Sequence, residues 1–178
     1  QEEYDKAEPY LQEALGLLKD RDQRARILFI LGQLAQRKGA NFEANNYYKA
    51  CLKLNPPLAM SFNATLNRAL CYDPASFSAD DIIKTLQRLL KDPKNSTYFG
   101  RIYYVLGEIA FTDGDEETGV DYMNLSLEAS AGDAARMLLA AKKLAEYYYD
   151  KADYIGAERY YAMAAQNVAE DDEDYYTV

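Results

Sequence analysis

Residues 31–57 read "LGQLAQRKGANFEANNYYKACLKLNPP". Gly32 is followed by Ala44 twelve residues on, by Tyr48 four residues later, and by Pro56 eight beyond that. A single helix has no use for this spacing. A hairpin of two helices that stacks on copies of itself does. A glycine or alanine lets the two helices of the hairpin approach closely, and an aromatic side chain fills the gap between one hairpin and the next. A proline after the second helix cannot continue it and so fixes the turn.

The rest of the chain repeats the arrangement at a period of about 34 residues. In the first unit the slots fall on Leu28, Leu31-Gly32, Ala44, Tyr48, Cys51 and Pro56. The stretch "YYVLGEIAFTDGDEETGVDYMNLSLEAS" fills them with Tyr103, Leu106-Gly107, Gly119, Met123 and Ser126. In "AAKKLAEYYYDKADYIGAERYYAMAAQNV" they fall on Leu144-Ala145, Tyr148, Tyr154, Ala157, Tyr161 and Ala164, alanine serving as the small residue. Residues 58–94 read as a degenerate copy. "LAMSFNATLNRALCYD" is its first helix, with Phe62, Thr65 or Leu66, and Ala69 at apolar spacing. "SADDIIKTLQRLLKDP" is its second, opened by Ser78 and Asp81 as a capping box and closed at Asp92-Pro93. The turn "YDPASF" between them absorbs the surplus of the 75-residue spacing from Gly32 to Gly107.

At this many slots the chain resembles a tetratricopeptide repeat protein, in which each unit is a helix A and a helix B. The fold this implies is all-α, a tetratricopeptide-like α-solenoid: a right-handed superhelix of antiparallel hairpins with about nine helices. Residues 1–20, with Tyr4, Ala7, Ala14 and Leu15, match helix B of a truncated unit. Full units then run over 24–57, 58–94 (degenerate), 98–131 and 134–169, followed by an acidic tail at 170–178. The whole reads as a piece of a longer array.

Composition narrows the chemistry. Across 178 residues there are 20 Lys and Arg against 29 Asp and Glu, a formal charge of −9. No basic stripe is present to neutralise phosphates, which argues against nucleic acid, and the acidity disfavours adsorption to an anionic membrane. Histidine is absent, excluding Ser-His-Asp and Cys-His nucleophiles and His-containing zinc sites. No apolar run reaches the roughly 18 residues of a membrane span, and the opening "QEEYDKAEPYLQEALGLL" is acidic where a secretory signal is basic. Cys51 and Cys71 lie on opposite sides of the "NPP" turn, with an axial offset of about 15 Å at about 1.5 Å per residue. That is too far for a bridge, so both read as buried free thiols.

Two acidic motifs read as structure. "DGDEE" (113–117) lacks the calcium-loop glycine at position six, and Asn124 stands where position twelve needs a glutamate. It fits a turn followed by an acidic helix start. "DDED" (171–174) reads as a solvated tail. Of the 17 tyrosines most sit at packing slots, leaving Tyr104 and Tyr149 as exposed candidates. Paired carboxylates occur only in turns and tails, where nothing tunes them for acid–base work, so no catalytic residue, cofactor or metal site is expected.

The resemblance also implies where a partner binds. In tetratricopeptide arrays the concave face is lined by the second, fifth, ninth and twelfth positions of helix A. Here these are Arg26, Phe29, Gln33 and Gln36; Asn63 and Asn67; Arg101, Tyr104 and Glu108; and Lys142, Glu146 and Tyr149. The mixture is amphipathic, as in peptide-binding grooves. The family's clamp for chaperone tails needs Lys and Asn where Phe29 and Gln33 stand, which argues against that ligand.

Three stretches, "RARILFILGQLAQRKG", "YYKACLKLNPPLAMSFNATLNRALCYD" and "LLKDPKNSTYFGRIYYVLGEIA", resemble the Bacteroidetes tetratricopeptide lipoproteins of the PorW/SprE type, associated with type IX secretion and gliding motility. That resemblance covers about residues 24–115 and implies a periplasmic protein anchored to the outer membrane. The leading expectation is therefore a non-catalytic scaffold that binds a protein or peptide along its concave face. The alternatives are a glycan or peptidoglycan-binding module using exposed tyrosines, and a domain that positions a catalytic partner.

Overall fold

The computed structural model describes the backbone of residues 2–167 and the side chains from Lys6 onward; Tyr4's side chain and the acidic tail at 170–178 lie outside them. Among the described residues the fold is all-α. Its helices are α1 (Glu2–Leu17), α2 (Arg21–Arg37), α3 (Asn41–Lys53), α4 (Leu58–Leu70), α5 (Asp80–Leu90), α6 (Phe99–Thr112), α7 (Glu116–Ala129), α8 (Ala134–Asp150) and α9 (Tyr154–Ala165). A 3₁₀ segment, Pro93–Tyr98, leads into α6.

Short polar side chains start α2, α5, α7, α8 and α9. Asp20, Asp115, Asp133 and Asp153 each accept a hydrogen bond from a backbone N–H three residues on, at 2.8–3.2 Å. These bonds satisfy donors that the first turn cannot pair internally. The Asp115 cap with Glu116 and Glu117 behind it is what "DGDEE" builds. Ser78 Oγ accepts from the Asp80 N–H at 3.1 Å, while the Asp81 carboxylate of the expected capping box lies on Arg68.

Three of the turns share one geometry. Gly39, Gly114 and Ala152 have φ of 73°, 80° and 58°. The N–H of each bonds the carbonyl three residues back, and the next N–H bonds the carbonyl five back: Ala40 to Ala35, Asp115 to Ala110 and Asp153 to Tyr148. This is the Schellman ending, and it turns each A helix back onto its B helix.

The chain divides into two compact units, Gln1–Lys84 and Thr85–Val178, with the boundary inside α5. In the first, α2 and α3 form the hairpin, α4 packs on α3 and also touches α2, and α1 lies on α2. Its core gathers Ala25, Leu28, Ala35, Ala44, Tyr48, Cys51, Ala64 and Cys71, and both cysteines are free. In the second unit α6 pairs with α7 and α8 with α9, and α8 packs on α7 and touches α6. That core gathers Met123, Leu127, Leu138, Leu144, Tyr160 and several alanines. Within each unit a hairpin followed by the next A helix is the stacking step of a tetratricopeptide-like α-solenoid.

Candidate functional site

The Leu-Gly pair of α2 is where the first site begins. Leu28, Leu31 and Gly32 are buried. A Cβ added to Gly32 would lie 2.6–2.9 Å from three ring atoms of Tyr48, so glycine is what admits this fully buried ring. With that stripe turned inward, the other face of α2 presents Arg26 and Gln33 exposed, and Phe29 and Gln36 half-buried. Phe29 meets the Tyr48 ring edge-on, centroids 5.7 Å apart.

The Tyr48 hydroxyl reaches past Gly32 to the polar groups of two A helices. It donates to Gln36 Oε1 at 3.0 Å and accepts from Asn67 Nδ2 at 3.3 Å. Asn63, half-buried, stands one turn before Asn67 on α4. Arg68, the next residue, turns away to tie three helices together: Nε donates to Asn45 Oδ1 at 2.8 Å, and Nη1 pairs with Asp81 Oδ2 at 2.8 Å. Burial raises the Asp81 pKa, but the hydrogen bond and charge of Arg68 outweigh it and the net shift is downward.

In the second unit the corresponding face belongs to α6 and α8. Arg101, Tyr104, Glu108 and Lys142 are half-buried, and Glu146 and Tyr149 are exposed. Tyr104 does not stand out as an exposed ring: it packs against the core cluster. Its pKa is raised by burial first, then by the nearby carboxylates of Glu108 and Glu146. Lys143 pairs with Glu108 at 3.1 Å. Arg101 is drawn down by burial and by the like charge of Arg136. Arg136 is fixed in turn by Thr97 O and Asp133 Oδ2, each at 3.1 Å. Tyr149 is 58% exposed and pairs edge-on with Tyr154 at 5.7 Å, beside the α8–α9 turn.

The sequence-derived residues therefore fall into two groups, Arg26, Phe29, Gln33, Asn63 and Asn67 in the first unit and Arg101, Tyr104, Glu108, Lys142, Glu146 and Tyr149 in the second. Sequence reasoning gave Tyr48 a packing role only and passed over Lys143 and Arg136. A repeat slot names the helix face a residue occupies, but nothing in the spacing says that a buried ring carries its oxygen through to the opposite face.

A family model for the tetratricopeptide repeat matches residues 25–57, the span from the second turn of α2 to the second proline. No curated protein matches the chain.

Proposed function

We propose that the chain is a non-catalytic interaction scaffold that holds extended protein or peptide segments on the A-helix faces of each unit. Tetratricopeptide repeats generally mediate protein–protein interaction. The observation that carries the reading is the division of α2 and α6. The Leu-Gly stripe is sealed against helix B, while the second, fifth and ninth positions leave amides, charges and aromatic edges partly open to solvent. Such a surface gives apolar anchors beside groups that bond a peptide backbone, and an arginine for a carboxylate. A small metabolite is bound in a closed, largely apolar pocket. On α1, Lys6, Pro9, Tyr10 and Glu13 line an open depression built from a single helix.

The setting we propose is a periplasmic, outer-membrane-anchored protein of the PorW/SprE type, serving a secretion or motility assembly. Its support is the similarity of residues 24–115 to that group. A glycan-binding reading draws its support from the exposed Tyr149–Tyr154 pair, whose rings meet edge to face rather than forming a flat platform.

The test is capture of partners from a membrane extract by the wild-type chain and by an Asn63→Ala/Asn67→Ala/Arg101→Ala variant with a matched thermal melt. Loss of capture by the variant is expected. Undiminished capture with the fold intact would move the binding surface off these faces. Loss of capture only on Tyr149→Ala/Tyr154→Ala, with release by soluble peptidoglycan fragments, would favour the glycan reading.

A further inference from the structure

The Tyr48 hydroxyl has one proton and sits between two carboxamides, which constrains both of them. It donates to Gln36 Oε1, so it accepts from Asn67 Nδ2. Gln36 is then left with its N–H donors to offer and Asn67 with its carbonyl oxygen. Neither Gln36 Nε2 nor Asn67 Oδ1 bonds another group among the described residues, and neither is among the side-chain atoms sealed from solvent. Reversing both amides exchanges the roles but preserves the pairing, because a hydroxyl that gives its single proton to one amide must receive from the other. Burial, the largest influence, pushes the Tyr48 pKa up to about 12 against the lowering effect of the Asn67 hydrogen bond, so the proton stays in place at neutral pH.

We infer that Tyr48 is a positioning residue: its hydroxyl holds Gln36 and Asn67 as one donor and one acceptor side by side, a pair that reads the N–H and C=O of a single residue of a bound extended peptide. This rests on the peptide-binding reading above and assigns its recognition chemistry in the first unit. One residue of an extended chain presents its N–H and C=O from the same edge, as in the two-bond exchange of an antiparallel ladder. A Gln or Asn side chain of the partner offers the same two groups. Tyr48 touches no ligand in this scheme. Its ring is locked in the Gly32 notch, and the hydroxyl transmits that rigidity to two flexible amides. Preorganisation of this kind reduces the ordering cost of binding.

The experiment uses a dodecapeptide selected on the full chain from a random display library, resynthesised with single N-methyl groups at successive backbone positions. Affinities are measured for the wild type, Tyr48→Phe and Gln36→Met. In the wild type, N-methylation at one position is expected to weaken binding by about tenfold. In Tyr48→Phe the parent peptide binds about tenfold more weakly, and the penalty at that position falls below about threefold. Gln36→Met does the same without touching the core, and decides the matter if Tyr48→Phe does not fold. An N-methyl profile unchanged in both variants overturns the role of Tyr48 and leaves peptide binding standing. A profile flat in the wild type, with sensitivity confined to a Gln or Asn side chain of the peptide, overturns the backbone assignment. A library that returns no peptide weakened by Asn67→Ala removes the peptide-binding reading from this face, and this inference with it.

Discussion

The hairpin α2–α3 and the hairpin α6–α7 use one device with different fillings. In each, a glycine after a leucine opens a notch that is filled from sixteen residues downstream: by Tyr48 at Gly32 and by Met123 at Gly107. A Cβ at Gly32 would meet a ring at 2.6 Å, whereas one at Gly107 would meet the Met123 methyl at 3.0 Å and the Gly119 carbonyl oxygen at 3.2 Å. An aromatic ring is flat and stiff, and it carries a hydroxyl to the far side of the helix. A methionine is pliable and ends in a methyl group. The first notch thus combines packing with a polar relay, and the filler of the second notch only packs. Repeat slots specify volume, while the chemistry of the filling side chain sets which polar groups it can hold.

Alkaline pH breaks the comparison most strongly. Burial raises Cys51 and Cys71 from an ordinary 9.0 to about 11, and Tyr48 from 10.0 to about 12, all in the first unit. A raised folded pKa means that the folded chain holds its proton longer than the unfolded chain. Stability is therefore full below about pH 9 and falls as pH climbs through the thiol window, by on the order of 2 kcal/mol per thiol once pH 11 is passed. The second unit has no cysteine, and its raised tyrosines, Tyr104 and Tyr148, start from 10.0. Between pH 9 and 10 a protease active in base is expected to cut first within residues 21–71, and Cys51→Ala/Cys71→Ala should flatten that dependence. Cleavage that begins equally in residues 99–165 would show that the thiols do not set the difference.

Next in size is Gly32→Leu. Overpacking a tight contact costs about 1–3 kcal/mol, and a rigid, fully buried ring puts this site at the upper end. Gly107→Ala should cost less: the Met123 methyl can swing aside, alanine recovers about 0.5–1 kcal/mol of helix propensity, and the Gly119 carbonyl oxygen at 3.2 Å has to give only slightly. Urea midpoints check both. A Gly32→Leu variant as stable as wild type would mean that the Tyr48 ring does not fill the notch.

These two glycines were legible because a helix hairpin needs a small residue at one fixed offset from its filler. Other close approaches were not. Gly100 lies against Ser130, whose Oγ would be 2.1 Å from an added Cβ, and its carbonyl accepts from Ser126 Oγ at 2.8 Å. No Leu-Gly pair marks that contact. The helices were readable from apolar spacing, prolines and aspartate caps, whereas the break into two units inside α5 has no marker in composition. The candidate faces were readable as positions only. Whether Tyr104 is open or packed, and whether Asn67 is oriented, depends on neighbours from other helices that a linear spacing does not contain.

The smallest effect sharpens the comparison at the turns. Gly39, Gly114 and Ala152 occupy the same place, seven residues after Gly32, Gly107 and Ala145. All three have positive φ, yet the last is alanine. A non-glycine residue in this left-handed region carries a cost of roughly 1–2 kcal/mol, and glycine in the unfolded chain gives back about 0.4–1 kcal/mol in entropy. Ala152→Gly is therefore expected to stabilise the second unit by about 0.5–1 kcal/mol net. Gly39→Ala should destabilise the first by a similar amount. Nothing lies within 4 Å of a Cβ built at Gly39, so only the backbone contributes and the two substitutions should mirror each other. Urea titrations of the two single variants measure this directly. If Ala152→Gly proves neutral while Gly39→Ala destabilises, the α8–α9 turn has relaxed out of the left-handed region in solution and the shared Schellman geometry fails in the last hairpin.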